Sequence, residues 1–198
     1  MAWKKTHELD PYRKIAGFNG EPLLVQAIAL PWKWVFIYPK QGIATVNYLE
    51  IPVGQQVEYW LTVDNVPMSA FGVPQLGSQI YAMAGMRTRL HLVANEVGVY
   101  KGLNTQLNGA GFSDMYFPVH VVLPEEMQRW VNTIKKSPHH LTDAAYSDLL
   151  NPSLVSEPLF FSSVAHDLFN HVVMTYMDST GPLHPRYNHH SQFTMHQE

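Results

Sequence analysis

Between Glu21 and Leu123 the chain is cut at short intervals by prolines at 31, 39, 52, 67, 74 and 118 and by glycines at 42, 54, 72, 77, 85 and 98. These residues are the strongest local breakers of regular structure, so what lies between them must be short. The intervening runs favour strands. Leu24–Ala29 is a compact apolar run, and Val57–Val63 is rich in β-branched and aromatic residues with near alternation. Leu90–Ala94 and Val119–Val122 have the same character. Short strands at this spacing predict a mainly β architecture, an antiparallel sandwich or barrel. Periodicity alone does not choose among the sandwich folds.

After Leu123 the hydrophobic period changes from two to that of a helix. Pro124 suits a first helical turn, Glu125 and Glu126 complement its dipole, and Met127, Trp130, Val131 and Ile134 form one stripe before Lys135 and Lys136. Ser137-Pro138 ends that helix. Thr142 is an N-cap for a second helix over Asp143–Leu150, and a third is predicted within Val164–Met177, with Leu168, Val172 and Tyr176 at helical spacing. The stripe predicts an arm that folds back on its own sandwich. The tail from Gly181 carries His184, His189, His190 and His196 without ligand spacing and reads as a mobile terminus.

Several function classes are excluded. Net charge is −3 with no basic stripe, which removes nucleic acid as a partner. With no cysteine there is no disulfide framework and no thiolate zinc site. The chain has no Gly-x-Ser-x-Gly, phosphate loop or His-Glu-x-x-His, so no catalytic residue and no cofactor-binding motif is assigned. No run reaches the ~18 apolar residues that a membrane span needs.

The most informative stretch is Asn65–Phe117. Two Gly-rich stretches, Leu76–Gly85 and Gly98–Met115, read as turns flanking a strand over Arg87–Ala94. With the run Leu76-Gly77-Ser78-Gln79-Ile80-Tyr81-Ala82-Met83-Ala84-Gly85-Met86, this stretch resembles subunit II of the haem-copper respiratory oxidases, on the ubiquinol oxidase branch of cytochrome bo type. Copper-bearing members of that family hold a dicopper centre in a motif Cys-Ser-Glu-Ile-Cys-Gly-x-x-His-x-x-Met, with a further His upstream. Here the cysteine positions are Asn104 and Asn108, the glutamate is Gln106, the histidine is Phe112, and the upstream histidine falls on Ser69. Met115 alone survives. A mixed-valence dicopper centre needs two bridging thiolates, and a lone thioether does not hold copper. The expectation is therefore no metal site at these former ligand positions.

The resemblance implies a cupredoxin-like sandwich over residues 21–123, a helical arm over 124–180 and a flexible tail over 181–198. Residues 1–20 would be a linker that follows the second of two transmembrane helices. It further implies a domain on the periplasmic side of the bacterial inner membrane that caps subunit I, with the haems and copper in subunit I and none in this chain. The aromatic run Pro31–Pro39 matches the place where copper-bearing relatives take electrons from cytochrome c. With no copper behind them, Trp32 and Trp34 read as core and interface aromatics. Cytochrome c docking would also want a carboxylate cluster, and Glu50, Glu58, Asp64, Glu96 and Asp114 are scattered. An alternative is a soluble cupredoxin-like copper carrier that uses the His-rich tail.

Overall fold

The computed structural model describes residues 21–106 and 115–177. Asn108, Phe112, the linker and the His-rich tail lie outside the described residues.

Two sheets face each other. The first runs β11-β3-β2-β1-β5-β8 and the second β4-β10-β9-β6-β7. The strands are β1 (Leu23–Leu30), β2 (Lys33–Tyr38), β3 (Ile43–Val46), β4 (Leu49–Pro52), β5 (Gln56–Val63), β6 (Met68–Val73), β7 (Ser78–Met83), β8 (Thr88–Val93), β9 (Gly98–Asn104), β10 (Tyr116–Val122) and β11 (Leu159–Phe161). Pairing is antiparallel except at two places, where β1 lies parallel to β5 and β4 parallel to β10. Among the described residues the α-helices are α1 (Pro124–Ile134), α2 (Asp143–Leu149) and α3 (Leu168–Met177).

Strand β2 explains why the first sheet is buried on both sides. Trp34, Phe36 and Tyr38 point into the sandwich, while Val35 and Ile37 belong to a separate cluster with the arm residues Tyr146, Phe161, Leu168, Phe169 and Val172. A strand covered on both faces reads as a continuous apolar run instead of an alternating one. Inside the sandwich the rings of Trp34, Phe36, Phe71 and Phe117 contact one another at centroid distances from 4.9 to 6.3 Å. Such aromatic pairs add ~0.5–1.5 kcal/mol each beyond simple burial.

The two Gly-rich stretches are not simply turns: each contains a strand, β7 and β9. Glycine within β9 is required by packing. Gly102 pairs with Phe117, and a Cβ built on it would lie 2.1 Å from the Phe117 ring. The ring rests on bare backbone, so this glycine belongs to a strand.

The arm folds back onto the sandwich, as its stripe predicts. In α1, Met127, Val131 and Ile134 join the sandwich core, and Trp130 stacks on Tyr48 and meets Tyr38 edge-on. Thr142 caps α2 by accepting from the Ala145 N–H at 3.2 Å. The arm is not wholly helical, because β11 adds to the edge of the first sheet beside β3. Polar anchors fix it, among them Lys33, Asp64 and Asn65, whose amide donates to the Leu150 carbonyl at 3.3 Å. The buried Lys33 ammonium donates to the carbonyls of Leu149 and Asn151 and to Ser153 Oγ at 2.8–2.9 Å. Asp64, just beyond β5, accepts from the hydroxyls of Tyr146 and Tyr176 at 2.8 and 2.7 Å.

At the root of α1, Glu50 is buried on β4 and accepts from the Tyr48 hydroxyl at 2.7 Å. Burial raises its pKa above the ordinary carboxylate value, the Tyr48 hydrogen bond opposes that, and the nearby Glu126 charge adds to it. The folded chain therefore holds this proton to higher pH than the unfolded chain does. Stability is lost as pH rises from the ordinary carboxylate range through the raised value. Glu50→Gln keeps an acceptor for Tyr48 and carries no charge. Its stability relative to the parent, followed by urea unfolding across that pH range, is expected to grow as pH rises. A difference that stays constant with pH would show that Glu50 does not titrate there.

Candidate functional site

The described former ligand positions Ser69, Asn104 and Met115 are brought together by the ends of three neighbouring strands of the second sheet. Strand β6 carries Ser69, fully buried, near its start; β9 ends at Asn104; and Met115 immediately precedes β10. Register places Phe71 of β6 opposite Asn104, and the backbone N–H of Asn104 donates to the Met115 carbonyl at 3.0 Å. Ser69, Asn104 and Met115 thus lie on adjoining strand ends, with Gln106 two residues beyond Asn104.

The Asn104 amide is the organising group. Its Oδ1 accepts from the backbone N–H of Ala70 at 2.8 Å and of Gln106 at 3.2 Å. Its Nδ2 donates to the Gln106 carbonyl at 3.0 Å and to Met115 Sδ at 3.4 Å. A primary amide offers two acceptor lone pairs and two N–H donors, so all four are used. A bond from the Thr105 N–H to the Ala70 carbonyl at 3.0 Å holds the chain against β6 just beyond. Where the copper-bearing pattern has a thiolate bridging two metals, this chain has a neutral side chain that ties the strand ends to each other.

This donor set does not fit a dicopper or blue copper centre. Copper of either kind requires thiolate sulfur, and the chain has no cysteine. The surviving thioether already accepts from the Asn104 amide. Among the described residues no group of three or more His, Cys, Asp or Glu side chains converges as a metal site.

The aromatic run divides into two roles. Trp34 is fully buried in the ring cluster. Trp32 sits at the tip of the β1–β2 hairpin with φ 63°, and it lines a groove with Asn47, Tyr116 and Pro118. Of the scattered carboxylates, Glu50 is buried with Tyr48, Glu58 accepts from the Trp60 indole at 2.7 Å, and Asp64 is taken by two tyrosines. His91 packs beside Glu58, and His120 stacks on Tyr48 at 4.8 Å.

The chain matches the family described as the COX Aromatic Rich Motif over residues 135–180, most of the arm. It is 44% identical over 187 residues to the cytochrome bo(3) ubiquinol oxidase subunit 2 of Pseudomonas aeruginosa, covering 93% of this chain and 56% of that protein. It is 45% identical over 178 residues to the ubiquinol oxidase subunit 2 of Acetobacter aceti, covering 89% of this chain and 57% of that protein. The chain thus spans somewhat more than half the length of these relatives. Among solved structures, it is similar to the periplasmic domain of subunit II of cytochrome oxidase of Bradyrhizobium japonicum, with a TM-score of 0.56 and 24% identity. That likeness covers 60% of this chain and 98% of the other, and makes the sandwich cupredoxin-like. By sequence over about nine-tenths of its length, the chain belongs to the subunit II family of the haem-copper respiratory oxidases, on the ubiquinol oxidase branch.

Proposed function

We propose that this chain is the periplasmic domain of subunit II of a proton-pumping ubiquinol oxidase in the bacterial inner membrane, and that it carries no redox centre of its own. Quinol hands its electrons to the haems and copper of subunit I from within the bilayer, so a copper relay facing cytochrome c has no task. The domain caps subunit I on the periplasmic side and stabilises the assembly, with the arm bracing the sandwich. Residues 1–20 link it to membrane-spanning segments.

The observation that carries this reading is the Asn104 amide. It stands at a cysteine position of the copper motif, and all its hydrogen-bonding capacity serves the chain itself. Further support comes from Glu50, Glu58 and Asp64, each taken up by a hydrogen bond within the chain, so that none of these three is free to steer a cationic cytochrome.

The test is recovery of the complex. When the subunit is tagged and produced with the other oxidase genes, detergent-solubilised membranes are expected to yield it together with a haem-bearing subunit I, active with ubiquinol and inert with cytochrome c. Recovery of the tagged chain alone would sink the proposal.

A further inference from the structure

Trp60 on β5 stands opposite Arg89 on the edge strand β8. The guanidinium of Arg87 lies 4.4 Å from the Trp60 ring centroid and that of Arg89 lies 5.7 Å from it. Both arginines are exposed, and among the described residues neither forms an ion pair with a carboxylate. The indole is itself held in place. Its N–H donates to Glu58 at 2.7 Å, and its ring meets Phe169 of α3 at 6.4 Å. An edge strand is ordinarily guarded by scattered charges. Here the two charges converge on one fixed aromatic platform.

A guanidinium stacked on a ring keeps its in-plane N–H donors free, and those donors match the oxygens of a phosphate in forked geometry. Holding both groups on a rigid indole removes part of the ordering cost of binding. The surroundings are amphipathic. Met86, 49% exposed, precedes Arg87, and Met177, 58% exposed, follows Tyr176, whose backbone packs 3.3 Å from where a Cβ on Gly85 would lie. Strand β7 ends at Met83 opposite Met68, one residue from Ser69, so this turn leaves the sandwich at the same end as the former ligand positions.

We propose that Arg87 and Arg89, clamped on Trp60, bind the phosphate headgroup of an anionic phospholipid and seat this end of the domain on the bilayer surface, with Met86 and Met177 at the headgroup boundary. Charge complementarity is local: the whole chain carries a net charge of −3, which repels an anionic surface. Attraction therefore has to come from the patch. This inference rests on the reading that the domain stands beside a membrane.

The test is flotation of the 198-residue chain with vesicles. Binding is expected to vesicles rich in phosphatidylglycerol and not to phosphatidylcholine alone, and to weaken as salt is raised. Arg87→Gln and Arg89→Gln should each lower partition by about five-fold, the factor expected for one basic residue at an anionic surface. Both are exposed positions, so the fold is retained. Trp60→Leu leaves the charge unchanged and should also weaken binding by releasing the clamp, whereas Trp60→Phe should largely keep it. Equal partition onto neutral vesicles, indifference to the double arginine variant, or a Trp60→Leu variant that binds as well as the parent would each overturn the inference. So would displacement by inorganic phosphate alone with no preference for vesicles. If the subunit is recovered with its oxidase but the chain never floats, this inference fails and the proposed function stands. If it is not recovered with the oxidase, the function fails whatever the vesicles show.

Discussion

Replacing Asn104 and Asn108 with cysteine, and Ser69 and Phe112 with histidine, is expected to turn a colourless domain purple in the presence of copper. The spacing of the motif is intact from Asn104 to Met115. The side chains at its two ends already touch, with the Asn104 amide 3.4 Å from Met115 Sδ. Ser69 is buried on the adjacent strand, next to the Ala70 N–H that Asn104 now accepts from. Two thiolates at the asparagine positions would supply the bridging sulfur that the native chain lacks, and two histidines with Met115 would complete the donor set. Removing the Asn104 amide frees the Ala70 and Gln106 backbone groups, at a cost of ~1–3 kcal/mol for each one left unsatisfied. The metal-free variant is therefore expected to be less stable than the parent and to recover that stability when copper binds. Visible and electron paramagnetic resonance spectra decide the matter. A folded variant that shows only ordinary type 2 copper would mean that Asn104, Asn108 and Phe112 do not occupy the ligand positions of the copper motif.

Lys33→Met is expected to loosen the arm more than any surface change. The ammonium has three N–H donors and uses them on the Leu149 and Asn151 carbonyls and Ser153 Oγ. Hydrogen bonds to a charged group contribute ~1.5–3 kcal/mol each. Burial lowers the lysine pKa and so opposes the charged form, which offsets part of that gain. Methionine fills similar volume while removing all three bonds, and only the Asn151 carbonyl keeps a donor within the chain, the Ser153 hydroxyl at 3.3 Å. A net loss of ~3 kcal/mol is expected, or a fall of roughly 10 °C in Tm for a chain of this size. The segment after α2 should become the first site of proteolysis, because it is the part the lysine holds. A loss below ~1 kcal/mol with the segment still protected would show that Lys33 is incidental to docking.

The positions of β1, β5, β8 and β10 and of α1, α2 and α3 were legible because each carries its own period or cap. Strands β3 and β4 were not, since four residues apiece are too few to establish alternation. Strands β7 and β9 were hidden by their glycines, and the reason for Gly102, a ring from the neighbouring strand, exists only once β9 and β10 are paired. Nor can a local pattern announce that β1 lies parallel to β5, because that pairing depends on the path of the whole chain. Of the candidate site, motif spacing singled out Ser69, Asn104 and Met115, which lie on adjoining strand ends. The amide network there could not be read that way, since hydrogen-bond partners such as Ala70 lie 34 positions away. Lys33 left a signal, a lone charge inside Trp-Lys-Trp-Val-Phe-Ile-Tyr, which marks a buried cation needing acceptors. Asp64 left none. Its tyrosine partners are 82 and 112 positions distant.

Copper titration of the native chain, followed by visible absorption, tests the central claim most directly. A colourless protein is expected, with at most weak binding that disappears when the residues after Gly181 are deleted. A tight, coloured site that survives that deletion would contradict a domain whose strand ends are joined by an amide instead of by metal.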